Sequence, residues 1–320
     1  MSAHPAVLRQ LEIGMRQAPQ RTHGVGASPS LTRSRIVTLR DGRVMGYRLY
    51  GSQNGVPVIA LHGTPGSRYK FASAHVAGLK HGLKIVSVDR WGYGLTSPRP
   101  GGTLRDFASD IANLADELAI GRYHVVGISG GGPFAAAVAA SYAERVTTLA
   151  LISPVGPIAG LKPLPALSTF HRLCFRTLPN VPGALSLGFL AFRLALRVSP
   201  PLALRLANTR SGVDRQTVAD PAVRDRLAKT FREGMEPGVG GALADMALFA
   251  RPWGIDLSRA DMPSRMWIGL ADRNVPIEAA RLLARSLPRC ELTEIPGAGH
   301  LWASHNVGEV MAWIASVGKA

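Results

Sequence analysis

A serine hydroxyl attacks a carbonyl at neutral pH only when a base removes its proton and an acid holds that base in place. Such chemistry therefore shows itself as three residue types in a workable order, and this chain contains one such set: Ser129, Asp272 and His300. Ser129 is the centre of Gly127-Ile128-Ser129-Gly130-Gly131, a G-x-S-x-G directly after the apolar run Tyr123 to Ile128 and directly before the helix-prone Pro133 to Ala137. Strand, tight turn and helix in that order lift the hydroxyl clear of a sheet, and the glycines let neighbouring backbone pass close by. The helix N-terminus adds partial positive charge where an anion forms. Asp272 follows the apolar run Met266 to Leu270, and His300 ends Gly297-Ala298-Gly299-His300 ahead of the last helical segment. Each of the three thus lies at the C-terminal end of a strand candidate, where an open α/β sheet gathers its site.

A serine mechanism also needs donors for the tetrahedral oxyanion. The backbone N–H groups of Gly130, the residue after the serine, and of Thr64, in His62-Gly63-Thr64-Pro65-Gly66-Ser67, are the candidates. His62 and Gly63 read as residues that shape this loop, with His62 bracing it through its ring nitrogens rather than serving as a second base.

The elements that must hold these residues are legible as a pattern. Two short alternating runs, Ile36 to Leu39 and Val44 to Tyr50, flank Asp41-Gly42 and predict an opening antiparallel hairpin. Six further apolar runs follow: Val56 to Leu61, Leu83 to Val88, Tyr123 to Ile128, Val146 to Ile152, Met266 to Leu270 and Leu292 to Ile295. Apolar on successive residues, they suit strands of a parallel sheet covered on both faces. Helical periodicity lies between them, over Thr103 to Leu118, Ile277 to Leu287 and Val307 to Val317. The expected fold class is therefore α/β, a doubly wound and mostly parallel sheet with helices on both faces. Residues 36–154 and 239–320 read as its core. Residues 155–238 are proline-rich and apolar without a convincing strand, a stretch of about 80 residues that is too long for a loop and reads as a helical cap. Residues 1–35 read as a flexible basic arm.

On these residues the chain resembles the α/β-hydrolase superfamily, in the branch with a helical cap after the sixth strand. The resemblance covers about residues 36–320. It rests on His62-Gly63, on Asp89-Arg90-Trp91-Gly92-Tyr93-Gly94-Leu95-Thr96-Ser97, on the Ser129 turn, on the Asp272 loop and on His300. It implies a Ser-His-Asp hydrolase fold and leaves the substrate open. Family branches that open epoxides or remove halide use an Asp nucleophile, where this chain has Ser129. Proline iminopeptidases share the serine turn and cap but recognise a free ammonium, for which only late acids such as Glu233 or Glu236 are available. Hydrolysis of a carboxylic ester or thioester of a small, largely apolar substrate is the leading expectation. An iminopeptidase-like activity and a non-enzymatic small-molecule receptor are the alternatives.

Composition narrows the remaining classes. The chain has 320 residues, 46% hydrophobic and 18% charged, which excludes a disordered or coiled-coil protein. Cys174 and Cys290 are too few for a disulfide framework or a zinc cluster. No H-E-x-x-H and no G-x-x-x-x-G-K-[ST] is present, so no metal and no cofactor are expected. The net charge of +16 invites a nucleic-acid partner, yet the 6% of aromatic residues show no interleaving with basic ones, and none is expected. Most of the basic residues are Arg, a skew that GC-rich coding produces by itself. The charge concentrates in residues 1–35 and in 157–210, the latter with seven basic residues and no acid. Arg193, Arg197 and Arg205 are spaced to share one helical face, which admits a weak contact with an anionic membrane surface. No run reaches the roughly 18–20 apolar residues of a membrane span, and no secretory signal is visible, so a cytoplasmic protein is expected.

Overall fold

In the computed structural model, which describes residues 33–160, 168–181, 183–208 and 210–317, eight strands form one sheet. They are β1 (Arg35–Thr38), β2 (Val44–Gly51), β3 (Val56–Leu61), β4 (Leu83–Val88), β5 (Tyr123–Ile128), β6 (Val146–Ile152), β7 (Ser264–Gly269) and β8 (Cys290–Ile295). Their spatial order is β1-β2-β4-β3-β5-β6-β7-β8. The opening hairpin pairs antiparallel, β2 joins β4 antiparallel, and every later pairing is parallel. The chain leaves β3 toward one edge of the sheet and returns at β5 on the other side, so a crevice opens at the C-terminal ends of these two neighbours.

The helices are α1 (His75–Lys80), α2 (Leu104–Glu117), α3 (Gly132–Ser141), α4 (Thr169–Arg172), α5 (Ala184–Val198), α6 (Pro200–Ala207), α7 (Gly212–Thr217), α8 (Pro221–Gly234), α9 (Gly240–Phe249), α10 (Ile277–Arg285) and α11 (Ala303–Val317). Successive strand residues feed opposite faces of the sheet. Ile59, Val125 and Leu149 pack with α2, α3 and α10, whereas Val58, Val126 and Ala150 pack with α11. Thr103 and Asp106 form a capping box at the start of α2, worth about 1 kcal/mol. A third apolar cluster, with Leu196, Leu204, Val223 and Leu227, ties α5, α6 and α8 together. Between β6 and β7 the described residues hold helices and no strand.

The departures from the sequence pattern have local causes. Strands β7 and β8 each begin two residues earlier than their apolar runs, because Arg265 and Glu291 pair in register while keeping their charges at the solvent side. Helix α11 starts at Ala303 rather than Val307, since Ser304, His305 and Asn306 mask its first turn. Helices α1 and α9 have no counterpart in the pattern; one is short and the other apolar on nearly every side. Arg205 does not share a helical face with Arg193 and Arg197. The chain turns at Ser199, and Pro200-Pro201 starts a new helix, so Arg205 belongs to α6. The arm expected over residues 1–35 falls almost wholly outside the described residues.

Candidate active site

Ser129 directly follows β5 in the left-handed backbone region, with φ +54°, and opens the single tight turn that leads into α3. A side chain rarely adopts that conformation without a reason, and here it turns the hydroxyl away from the sheet. Gly130 is needed for space, because a Cβ there would come within 2.1 Å of Thr64 Oγ1. The loop after β3 thereby lies directly against the serine turn.

His300, 171 residues further along, reaches Ser129 through Nε2, which is 2.9 Å from Oγ. Its Nδ1 is 2.7 Å from Asp272 Oδ2. An ionised carboxylate only accepts, so Nδ1 carries the hydrogen and Nε2 is left to accept from the serine hydroxyl. Asp272 is buried, and its other oxygen accepts from the amides of Asn274 at 2.8 Å and Val275 at 3.2 Å. Burial by itself would lower the His300 pKa, but the charge and hydrogen bond of Asp272, aided by Asp214, hold it above the ordinary 6.5.

Asp214 was not singled out by sequence, and it comes from α7. Its Oδ2 accepts from the amide of His300 at 3.1 Å and its Oδ1 from that of Leu301 at 2.9 Å. Gly299 makes room for it, since a Cβ there would lie 2.3 Å from Oδ1. Ser211 Oγ accepts the amide of Asp214 in turn, at 3.1 Å. The pattern Ser211-x-x-Asp214 signals a helix start and nothing about the site.

The loop after β3 is braced from below. His62 is fully buried, donates from Nδ1 to Gly63 O at 2.7 Å and accepts the Arg90 amide on Nε2 at 3.0 Å. Burial, and then the Arg90 charge, hold its pKa well below the usual imidazole value, so it is neutral and committed to these two bonds. Arg90, also fully buried, donates to His62 O, Gly63 O and Thr64 Oγ1 at 3.0–3.1 Å and to Asp245 Oδ1 at 2.5 Å. Asp245 Oδ2 accepts from Tyr93 OH at 2.6 Å and Thr64 Oγ1 at 2.5 Å. Asp245 is the single charge in the otherwise apolar run of α9, and that is the signal by which sequence could have found it.

Ser129, His300, Gly63, Thr64 and Gly130 all line one cavity of about 430 Å³. Phe170, Phe175, Phe189, Phe192, Phe231 and Phe249 make most of its wall apolar. No carboxylate lines it among the described residues. Glu233 is paired with Arg68 at 3.0 Å and Glu236 with Arg197 at 3.6 Å, both away from the cavity. Among the described residues, no group of three or more His, Cys, Asp or Glu could hold a metal ion.

A family model described as "alpha/beta hydrolase fold" matches residues 56–303. Among curated proteins, the chain is 33% identical over 124 residues to a non-heme chloroperoxidase of Streptomyces lividans, covering 38% of this chain and 45% of that protein. It is 25% identical over 253 residues to a putative non-heme chloroperoxidase of Synechocystis, covering 77% and 85%. The first of these matches thus spans less than half of the relative's length. Among solved structures, an alpha/beta hydrolase fold protein from Nakamurella multipartita superposes with a TM-score of 0.67 at 25% identity, over 89% of this chain and all but 2% of that one.

Proposed function

Since the chain belongs to the alpha/beta-hydrolase family, we propose that it is a serine hydrolase cleaving a carboxylic ester of a small, largely apolar substrate through an acyl-serine. The observation that carries this reading is His300 within hydrogen-bond distance of both Ser129 and Asp272, at the wall of an apolar cavity.

In this reading Ser129 Oγ attacks the acyl carbon as His300 Nε2 takes its proton, and Asp272 steadies the imidazolium that results. The Thr64 and Gly130 amides receive the charge that collects on the carbonyl oxygen. The tetrahedral intermediate collapses as the imidazolium delivers its proton to the departing alkoxide. Water, deprotonated by the same nitrogen, then releases the acid and restores the serine. Curated relatives over short stretches include a bifunctional esterase/perhydrolase of Acinetobacter calcoaceticus and a proline iminopeptidase of Neisseria gonorrhoeae. The absence of a carboxylate from the described cavity wall favours ester over amino-terminal peptide, because a free ammonium would find no counter-charge there.

Ser129→Ala is expected to cut turnover of a short-chain p-nitrophenyl ester by at least about 10⁴-fold while leaving the circular dichroism spectrum unchanged. A fluorophosphonate probe should label the native protein and not the variant. Near-native turnover in the variant would remove Ser129 as nucleophile, and absence of both turnover and labelling in the native protein would favour the receptor alternative.

A further inference from the structure

Lys70 begins the 3₁₀ turn Lys70–Ala74 after β3 and lines the cavity that holds Ser129 and His300. It also lines a small adjoining cavity with Ser73, Arg226 and Thr230. It is the one cation on the main cavity wall among the described residues, and it makes no ion pair there. Its charged neighbours are of no help to it. Arg226 of α8 repels it, and its own charge opposes protonation of His300.

Burial, followed by the Arg226 charge, pushes the Lys70 ammonium down to about 8, which still leaves it mostly protonated at neutral pH. Lys70 is half-buried, and a cation partly withdrawn from water without a counter-charge is costly, whereas an apolar side chain of similar length would fill the same space without that cost. The rest of the wall is mainly aromatic and aliphatic and offers no carboxylate among the described residues, so a counter-charge within the cavity is one the substrate can bring. A single ammonium matches a single negative charge; a phosphate dianion calls for several donors or a guanidinium fork.

We propose that Lys70 is a specificity-determining residue and that the substrate is an anionic ester, largely apolar but carrying a carboxylate seated against this side chain. The inference deepens the ester-hydrolase reading and rests on it for the word ester alone. Anion recognition by Lys70 is a property of the cavity whether or not Ser129 reacts.

The test compares two p-nitrophenyl esters of equal chain length, one ending in methyl and one in carboxylate. The ratio of their kcat/KM values should fall about 10- to 100-fold in Lys70→Met, the worth of one charge-assisted hydrogen bond, with the change residing in KM. Lys70→Arg should restore part of it. Lys70 is half-buried and Lys70→Met strips no charged partner of its counterpart, so the variant is expected to be folded. A ratio that Lys70→Met leaves unchanged overturns the inference. Calorimetric binding of octanoate and of octanol to Ser129→Ala, with and without Lys70→Met, reads the same property without turnover. Preference for octanoate that disappears with Lys70 supports the inference even if no ester is cleaved, and equal affinities in both proteins overturn it.

Discussion

At the scale of single residues, the proposed chemistry depends on His300 being neutral when it meets the serine. Its pKa is raised above 6.5 in the folded protein, so protonation sets in from above that value as pH falls, and base function is lost below it. The acid limb of a kcat/KM profile is therefore expected to have its midpoint above pH 6.5; a midpoint below that would mean that Asp272 and Asp214 do not act on the imidazole as the geometry implies. Asp272→Asn should move the limb to lower pH, because it removes the main influence that raises the pKa. The three residues are legible in the sequence because each sits in a local signature: a glycine-bounded turn, a loop after a strand, a glycine-rich turn before a helix. Asp214 is not legible, because its partners are backbone amides 86 and 87 positions away and amides carry no residue type.

Secondary-structure elements enter as struts. Helix α9 contributes Asp245, which joins Arg90, Tyr93 and the Thr64 hydroxyl into one buried network under the loop after β3. Asp245→Ala leaves the Arg90 guanidinium buried without its counter-charge and is expected to cost roughly 3–5 kcal/mol, read from the urea midpoint. A loss below about 1 kcal/mol would mean that the arginine relaxes into solvent. The strands are readable from sequence because buried parallel strands are rich in Val, Ile and Leu; β3, β4, β5 and β6 follow their runs residue for residue. The two later strands are blurred by charges at their starts, and α9 is invisible because a helix apolar all round has no period to detect.

Over the whole molecule, the net charge of +16 has little to do with the site. Helices α5 and α6 carry three arginines and no acid, and there the charge accompanies exposed aliphatic side chains: Leu187 at 71% exposure, Leu194 at 62% and Val198 at 78% lie along α5, whose other side supplies Leu185, Phe189 and Phe192 to the cavity. No single described helix is long and apolar enough to cross a membrane. Weak co-sedimentation with anionic vesicles, suppressed by salt and absent with neutral vesicles, is the expected outcome for such a surface; no binding to anionic vesicles at low salt would show the arginines to be merely solvated. The clamp that Asp214 places on the His300 loop has a consequence for recombination between relatives. The helical segment and the sheet are not interchangeable modules, since the turn bearing His300 is held from the segment's side. A chimera that imports another segment inherits this sheet and this serine, but a working base only if the import carries an acceptor at that point.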